Sequence, residues 1–247
     1  MEWESENLSG KDLTLSLRNV KVTPGTDTTS YLATLDTSRG CIETILHPVE
    51  GGTSAVICVS GANGGLDGPV DGLYTRLPTL LRKSETSVLR LDYRKPNDFS
   101  ECIIDVLAGC SFLKGIGASS IVLLGHSFGG GVVITAAQLH KLVCGVVSLS
   151  PQRFGTETVS ELNMPLLLIH GTTDRVLPSE ASEDIYKRAK DPKQLTLYKE
   201  TGHSLVEARS QIEKLLPKWV IDRLSEKNLI SNRTIHSITT SKNDSNK

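Results

Sequence analysis

From residue 55 onward, the chain alternates short, continuous apolar runs with segments of helical periodicity. Such apolar runs are typical of strands buried on both faces of a parallel sheet. Between two of them, residues 98–114 place Ile103, Leu107 and Cys110 on one helical stripe. Strands that alternate with helices predict βαβ units around a mostly parallel sheet. The predicted strands are AVICVSG at 55–61, SVLRLDY at 87–93, SIVLLGHS at 120–127, VCGVVSLS at 143–150, PLLLIHG at 165–171 and QLTLYKE at 194–200.

The opening part of the chain has a different pattern, in which apolar and polar residues alternate. Period-two alternation predicts antiparallel strands with one buried face, here at 12–22, 31–35 and 41–46. The side chains expected to face inward in the first strand are Leu13, Leu15 and Leu17, with Val20 as a further candidate. A second helix is predicted at 179–190, which opens with a Ser cap and an acidic first turn and ends in basic residues.

The domain organisation follows from a change in composition near the C-terminus. Residues 229–247 are rich in Ser, Thr, Asn and Lys and contain few large apolar side chains. Such a segment cannot bury enough apolar area to compensate the entropy lost on ordering, so it is predicted to be a disordered tail. Residues 1–228 contain no internal repeat and no linker, and they are predicted to form a single domain.

Charge and composition argue against two classes of function. The chain has 247 residues, a formal net charge of -1 and 4% aromatic residues. It lacks the basic field that holds a phosphate backbone and the rings that stack on bases, so we expect no nucleic-acid partner. No apolar run approaches the ~20 residues of a membrane span, so we expect no membrane partner.

The cysteines and the first residues bear on the compartment. The five cysteines are odd in number, contain no CxxC pair and lie mostly in apolar runs, which predicts reduced, buried thiols. The opening MEWESENLSG is acidic and polar, unlike a signal or transit peptide. We therefore expect a soluble, cytoplasmic protein.

The strongest chemical signal is the sequence Gly-His-Ser-Phe-Gly at 125–129, where an apolar strand ends and a helical segment begins. A GxSxG pattern in this context predicts a sharp strand-to-helix turn with Ser127 at its tip. The pattern alone is weakly specific, and its place between a strand and a helix is what strengthens it. Ser127 is therefore the candidate nucleophile.

A serine nucleophile needs a base, and the base needs an orienting acid. In a strand–turn–helix architecture of this kind the chain order is serine, acid, histidine. Asp174 follows the strand at 165–171 and His203 follows the strand at 194–200. Because both lie just beyond the carboxyl ends of strands, we expect them at the same sheet edge as Ser127.

Other polar residues near this edge receive structural interpretations. His126 is expected to point away from Ser127, and His170 precedes the acid, which is the wrong order for the base. Asp92 is an alternative acid, although a structural hydrogen-bonding role is favoured. The histidines at 47, 140 and 236 have no partners at ligand-like spacing, so no metal site is expected.

Acyl transfer also requires backbone N–H donors for the oxyanion. We expect one from Phe128, the residue after the nucleophile. The second is expected from the loop after the strand at 55–61, with Ala62 preferred and Asn63 as the alternative. Asn63 and Arg153 are further candidates for substrate contacts, Arg153 for a substrate carboxylate, although a solvated arginine is the favoured interpretation.

From about Ala55 to Leu224, the chain resembles the α/β-hydrolase superfamily, especially its compact esterase and dienelactone-hydrolase-like branch. The segments that carry the resemblance are 125–129, 171–178 (GTTDRVLP) and 202–204 (GHS). It implies a mostly parallel sheet with antiparallel N-terminal strands and helices on both faces. It also assigns Ser127, Asp174 and His203 as nucleophile, acid and base. One departure is Ser60-Gly61, where many members have His-Gly.

The function expected from these residues is hydrolysis of a small carboxylic ester or thioester through an acyl-enzyme, without a cofactor. The connection at 151–164 is too short for a lid domain, so the site is expected to be open and without a cap. Acyl transfer or attack on an amide would use the same residues. A binding or receptor protein that kept the fold remains a further alternative. The protein is expected to be a monomer or a homodimer.

Overall fold

The computed structural model describes residues 14–25 and 27–244, with side chains up to 227. The strands are β1 (Leu17–Pro24), β2 (Tyr31–Thr37), β3 (Gly40–His47), β4 (Ser54–Val59), β5 (Thr86–Leu91), β6 (Ser120–His126), β7 (Val143–Leu149), β8 (Leu166–Gly171) and β9 (Lys193–Tyr198). The helices are α1 (Pro69–Leu81), α2 (Phe99–Gly115), α3 (Phe128–Ala137), α4 (Glu180–Arg188) and α5 (Arg209–Asp244).

All nine of these strands form one sheet in the order β1-β2-β3-β5-β4-β6-β7-β8-β9. The pairs β1–β2, β2–β3 and β3–β5 are antiparallel, and every pair from β5 to β9 is parallel. In the central strand β4, Val56 lies between Val88 and Val122. The prediction of a mostly parallel sheet with antiparallel N-terminal strands is therefore confirmed.

Helices cover both faces of the sheet because the central strands are apolar on both sides. Ile57 and Val59 of β4 pack in one cluster with α2, α3 and α4. Val56 and Cys58 of the same strand pack in a second cluster with α1 and α5. Full burial of each such aliphatic side chain is worth about 1.5–3 kcal/mol, so the continuous apolar runs select a three-layer arrangement.

The first strand differs from its prediction. It begins at Leu17, whose side chain is 37% exposed rather than facing inward. The physical reason is that β1 is an edge strand with only β2 beside it. Leu15 and Val20 are partly buried against the core, as expected, whereas Leu13 lies outside the described residues.

The helices predicted at 98–114 and 179–190 correspond to α2 and α4, and the helical segment expected after Ser127 corresponds to α3. In α2, Ile103 and Cys110 are fully buried as predicted. The predicted Ser cap of α4 is wrong: Ser179 occupies the capping position, but its backbone is already helical and its side chain makes no capping hydrogen bond. Helices α1 and α5 form where the sequence pattern predicts no helix.

The connection between β7 and β8 contains one short 3-10 turn, Glu157–Glu161, and no cap domain. Within the described chain, no helix combines the length and the apolar character needed to cross a membrane. The backbone of α5 continues to Asp244, while side chains beyond 227 and residues 245–247 lie outside what the structure describes. The predicted disordered tail at 229–247 therefore stays a prediction.

A buried ionic cluster ties α2 to the loops at the carboxyl edge of the sheet. The guanidinium of Arg94, which follows β5, donates to Glu101 at 2.8 Å and also pairs with Asp105. Arg39, from the β2–β3 turn, donates to the same Glu101 carboxylate, as does Lys95. Since the Glu101 side chain is only 7% exposed, its charge depends on these partners.

Glu101 should make stability depend on pH. The hydrogen bond from Arg39 is the largest cause that lowers the pKa of Glu101, from 4.5 to about 2. Because the folded pKa lies below the ordinary value, the stabilisation is complete above pH 4.5 and is lost as the pH falls toward 2. Glu101→Gln should therefore lower the free energy of unfolding at pH 7 and flatten its decline below pH 5.

Urea unfolding at pH 7 and pH 3 measures this effect. Glu50→Gln, at an exposed position, is the matched control and should leave both values close to wild type. Parallel pH dependence in wild type and Glu101→Gln would contradict the expectation.

Candidate active site

Ser127 lies in the turn between β6 and α3 with a strained backbone. Its φ is 58° and its ψ is -120°, and it occupies the N-cap position of α3. A non-glycine residue at positive φ is uncommon and persists only where the surrounding structure enforces it. Here its N–H donates to Leu149 O of β7 at 2.8 Å, and its carbonyl accepts from Gly130 at 3.0 Å. The turn therefore presents the Ser127 side chain at the carboxyl edge of the sheet.

Two glycines of the GxSxG sequence make this turn possible. A Cβ on Gly125 would lie 2.1 Å from Gly129 O, and a Cβ on Gly129 would lie 2.2 Å from Ser60 O. No real Cβ tolerates such distances to backbone, so strand, helix and the β4 loop approach this closely only because both positions are glycine. The sharp strand-to-helix turn expected from the sequence is confirmed.

Asp174 has a fully buried carboxylate that accepts four N–H groups. Its Oδ1 accepts from the backbone of Val176 at 2.8 Å and of Leu177 at 2.9 Å. Its Oδ2 lies 2.7 Å from His203 Nδ1 and 3.1 Å from His170 Nε2. Burial by itself raises the pKa of Asp174, but the hydrogen bonds from His203, Leu177 and Val176 outweigh it and leave the pKa below 3.8.

His203 faces this carboxylate through Nδ1, and its loop is held by two further contacts. Its own carbonyl lies 3.1 Å from His126 Nε2, and the carbonyl of Ser204 accepts the N–H of Val70 at 2.8 Å. The imidazole is 16% exposed, so it is reachable by a substrate or water. Nδ1 is occupied by Asp174, which leaves Nε2 as the atom available for proton transfer.

The structure brings all three predicted residues to one edge of the sheet. Asp174 and His203 are hydrogen-bonded, and the ring of His126, the residue before Ser127, lies 4.8 Å from the ring of His203. A Cβ on Gly61 would lie 3.8 Å from Ser127 Oγ. Among the hydrogen bonds of the described residues, none joins the Ser127 hydroxyl to His203.

The loop after β4 lies against Ser127. Ala62 and Asn63 form a turn in this loop, which is closed by a hydrogen bond of 3.0 Å from the N–H of Gly64 to the carbonyl of Gly61. Asn63 is exposed and Ala62 is partly buried. Phe128 is the first residue of α3, and first-turn N–H groups have no carbonyl partner within a helix. Both predicted donors therefore flank Ser127, although their roles stay predictions.

Asp92 anchors this loop by hydrogen bonds to its backbone. Its Oδ1 accepts the N–H of Gly65 at 2.7 Å and that of Tyr93 at 3.0 Å. The hydroxyl of Tyr74 donates to Val59 O at 2.9 Å, where the loop begins. The favoured interpretation of Asp92 as a structural hydrogen-bonding residue agrees with these contacts.

The Arg153 side chain contacts α4. Its guanidinium lies 3.4 Å from Asp184 Oδ1 of α4, in an exposed hollow of ≈ 510 Å³. The other residues that line this hollow are Phe154, Glu157, Asp184 and Arg188. Because the contact of the guanidinium is with Asp184, which also binds Arg188 at 2.8 Å, the substrate role of Arg153 gains no support and stays a prediction.

Sequence reasoning missed the roles of two histidines. The ring of His126 packs on the ring of His203, and its Nε2 faces the His203 carbonyl, while its predicted direction away from Ser127 stays a prediction. Burial is the largest cause that lowers the pKa of His126, to about 4, so the ring is neutral at pH 7 and its Nε2 carries the hydrogen that it donates. His170 contacts Asp174. The only signal in the sequence was their position next to candidate residues at strand ends.

Across the described residues, no group of three or more His, Cys, Asp or Glu side chains is arranged to hold a metal ion. The cysteines are free, with Cys58, Cys102 and Cys110 buried, Cys144 half-buried and Cys41 exposed. Burial raises the pKa of Cys110 to about 12 and that of Cys144 to about 11, so neither thiol ionises at neutral pH.

Comparison with known proteins adds one family match and many structural neighbours. Residues 155–209 match the family model of serine aminopeptidase S33, a segment that contains Asp174 and His203 but not Ser127. No curated relative matches the chain.

Three solved structures illustrate the likeness. Est1E from Butyrivibrio proteoclasticus is 16% identical with a TM-score of 0.69, over 78% of this chain and 99% of that one. Dienelactone hydrolase from Anabaena variabilis is 16% identical with a TM-score of 0.66, over 84% and 100%. XC6422 from Xanthomonas campestris, an α/β serine hydrolase without lid, is 19% identical with a TM-score of 0.61, over 81% and 97%.

The chain therefore has the α/β-hydrolase fold in its compact form without a cap domain. The fold places the carboxyl ends of β6, β8 and β9 at one edge, where Ser127, Asp174 and His203 lie. Fold alone does not define the activity of these residues.

The close packing at the turn predicts that Gly129→Ala destabilises the protein by at least about 3 kcal/mol, the upper end of overpacking costs. The added Cβ would overlap Ser60 O, which cannot move without displacing the β4 loop. Gly115→Ala is the control, because nothing lies within 4 Å of its Cβ position and α2 ends there. Alanine should be neutral there or stabilise the helix by up to about 1 kcal/mol. Equal unfolding midpoints for the two variants in urea would show that the turn is not tightly packed.

Proposed function

We propose that the protein is a serine hydrolase that cleaves a carboxylic ester or thioester of a small substrate through an acyl-enzyme. The observation that carries the proposal is the 2.7 Å contact between His203 Nδ1 and the buried, ionised carboxylate of Asp174, beside the strained turn of Ser127. A buried carboxylate fixes the tautomer of the imidazole and stabilises its protonated form. That leaves His203 Nε2 as a base for a nearby hydroxyl.

In the first half of the proposed reaction, His203 Nε2 takes the Ser127 proton as Oγ attacks the substrate carbonyl carbon. The negative charge that develops on the carbonyl oxygen is stabilised by two backbone N–H groups. One belongs to Phe128, at the N-terminus of α3, and the other to Ala62, in the loop that Asp92 anchors. The bond to the leaving group then breaks, and His203 returns its proton to the departing alkoxide or thiolate. The product is the Ser127 acyl ester.

In the second half, water attacks the acyl carbon while His203 Nε2 takes a proton from it. The bond to Ser127 Oγ breaks, Oγ regains a proton from His203, and the carboxylic acid leaves. Asp174 remains ionised throughout and compensates the charge of the protonated imidazole. No step requires a cofactor.

Attack on an amide, or transfer of the acyl group to an acceptor other than water, would use the same residues. The match of residues 155–209 to a serine aminopeptidase model favours testing amides directly. Parallel assays of p-nitrophenyl esters and aminoacyl p-nitroanilides separate the two: faster ester turnover supports the proposal, and faster anilide turnover would replace it with a peptidase.

The proposal predicts covalent labelling at a single serine. A fluorophosphonate should label the folded protein at Ser127, and labelling should disappear in Ser127→Ala and His203→Ala, because a serine without a base is a poor nucleophile. Asp174→Asn should slow labelling by several orders of magnitude. Peptide mass spectrometry locates the label and intact mass spectrometry measures its rate.

Ser148→Ala is the matched control for this experiment. Ser148 lies on the neighbouring strand β7, is fully buried and has no hydrogen-bond partner, so its removal should leave labelling unchanged. If folded wild-type protein remains unlabelled, the protein is a binding or receptor protein rather than an enzyme. A label on another serine would keep the hydrolase and overturn the assignment of Ser127.

The short connection after β7 predicts an absence of interfacial activation. Between Leu149 and Leu166 the chain forms only one 3-10 turn, so no lid has to open before substrate enters. The rate of hydrolysis of short and medium acyl esters should rise smoothly through the critical micelle concentration of the substrate. An abrupt increase at that concentration would contradict an open site.

A further inference from the structure

His170 is the last residue but one of β8, and its imidazole is fully buried although it carries no role in the proposed reaction. Its Nε2 lies 3.1 Å from Asp174 Oδ2 and 3.0 Å from Leu177 O. Its Nδ1 lies 2.7 Å from the hydroxyl of Ser182, which is itself fully buried in α4. A buried histidine with three polar partners at these distances is held in one orientation.

These partners define where the hydrogens of His170 lie. A carboxylate oxygen and a carbonyl oxygen can only accept, so Nε2 must carry a hydrogen. Burial is the largest cause that lowers the pKa of His170, despite its bonds to Leu177 and Asp174. A neutral ring has one N–H, so Nδ1 is bare and accepts from the Ser182 hydroxyl. Ser182 thus donates to His170, and His170 and His203 both donate to the Oδ2 of Asp174.

Asp174 is the junction of these hydrogen bonds. Its Oδ1 is held by the backbone of its own loop, whereas its Oδ2 is shared by two imidazole rings from different strand ends, His170 and His203. The N–H of His170 therefore competes with the N–H of His203 for the same oxygen. The His170 N–H helps to fix the plane of the carboxylate and reduces the attraction between Oδ2 and the His203 N–H.

We propose that His170, oriented by Ser182, is a positioning residue that aims the Asp174 carboxylate at His203 and sets how strongly that carboxylate attracts the His203 proton. The expected effect on rate rests on the proposed function, whereas the hydrogen bonds among Ser182, His170, Asp174 and His203 do not. Removal of the His170 donor should leave a stronger hydrogen bond between Oδ2 and His203, while the less constrained carboxylate lets the imidazole that it holds turn out of line with Ser127. Rate and proton affinity should therefore change together.

Three variants separate positioning from packing. His170→Phe keeps a planar ring but removes both nitrogens, and His170→Gln keeps an N–H donor on a flexible amide. Ile169→Ala is the control, because Ile169 is fully buried on the same strand but packs in the cluster on the other face of the sheet. It should destabilise the fold without touching Asp174. Thermal unfolding establishes that each variant is folded at the assay temperature.

The first measurement is independent of activity. Nitrogen NMR of labelled imidazoles should show His170 neutral with its hydrogen on Nε2, and proton NMR should show the His203 Nδ1 hydrogen shifted downfield by its bond to Asp174. In His170→Phe this proton should move further downfield, because Oδ2 has lost its second donor. In Ile169→Ala it should stay in place. An unchanged resonance in folded His170→Phe, or a hydrogen on His170 Nδ1, would overturn the proposal.

The second measurement is the pH profile of fluorophosphonate labelling at Ser127. His170→Phe should lower the rate ten- to a hundredfold, roughly the cost of misplacing a reacting group, and should move the acid limb to higher pH. His170→Gln should restore part of the rate. The other titratable side chains near His203 are His126 and Glu207, which these variants leave intact. A lower rate with an unmoved acid limb would indicate a purely structural residue and overturn the proposal.

The two measurements distinguish a failure of the positioning role of His170 from a failure of the proposed hydrolase function. If wild-type protein is not labelled at all, the hydrolase assignment fails and the NMR result alone decides the role of His170. If labelling occurs at Ser127 and neither the His203 resonance nor the acid limb responds to His170→Phe, the hydrolase stands and the positioning role is wrong.

Discussion

The buried carboxylate of Asp174 is the constraint on which the site depends. Its side chain is fully buried, and an ionised group removed from water is stable only when its lone pairs are occupied. Four N–H groups meet this need, from strand β8, from the loop that contains Asp174 and from the loop after β9. Because the donors come from separate strand ends, satisfying one carboxylate brings the loops after β8 and β9 together and orients His203.

The second constraint is steric and lies at the turn between β6 and α3. Ser127 adopts a positive φ that only tight surroundings enforce, and Gly125 and Gly129 let helix, strand and the β4 loop meet at backbone distance. The same approach brings Gly61 against Ser127, while Asp92 anchors the loop from the other side. The strain of the turn is thus maintained by packing from three strands, which keeps the serine at the edge where His203 lies.

Much of the fold could be predicted because its signals are local. Continuous apolar runs such as AVICV identify strands buried on both faces, and their alternation with helices implies the parallel sheet that is observed. The burial of residues at the edge of the sheet and the capping of helices are harder to predict. Leu17 fits an inward-facing pattern yet is exposed, because β1 has a neighbour on one side only, and this depends on strand order rather than on sequence periodicity. Ser179 has the residue type of a cap but not the backbone conformation.

For the site, the sequence by itself determined the identity and chain order of Ser127, Asp174 and His203, because the turn glycines and the strand ends that precede these residues are encoded locally. It did not determine the partners of the other polar residues. The sequence predicts no role in the chemistry for His126 or His170, and only the tertiary structure shows that His126 faces the carbonyl of His203 and that His170 contacts the Oδ2 of Asp174. The physical reason is that these hydrogen bonds join atoms on strands far apart in the chain. The direction of each bond, and the tautomer of each imidazole, are therefore decided only when the sheet brings those strands together.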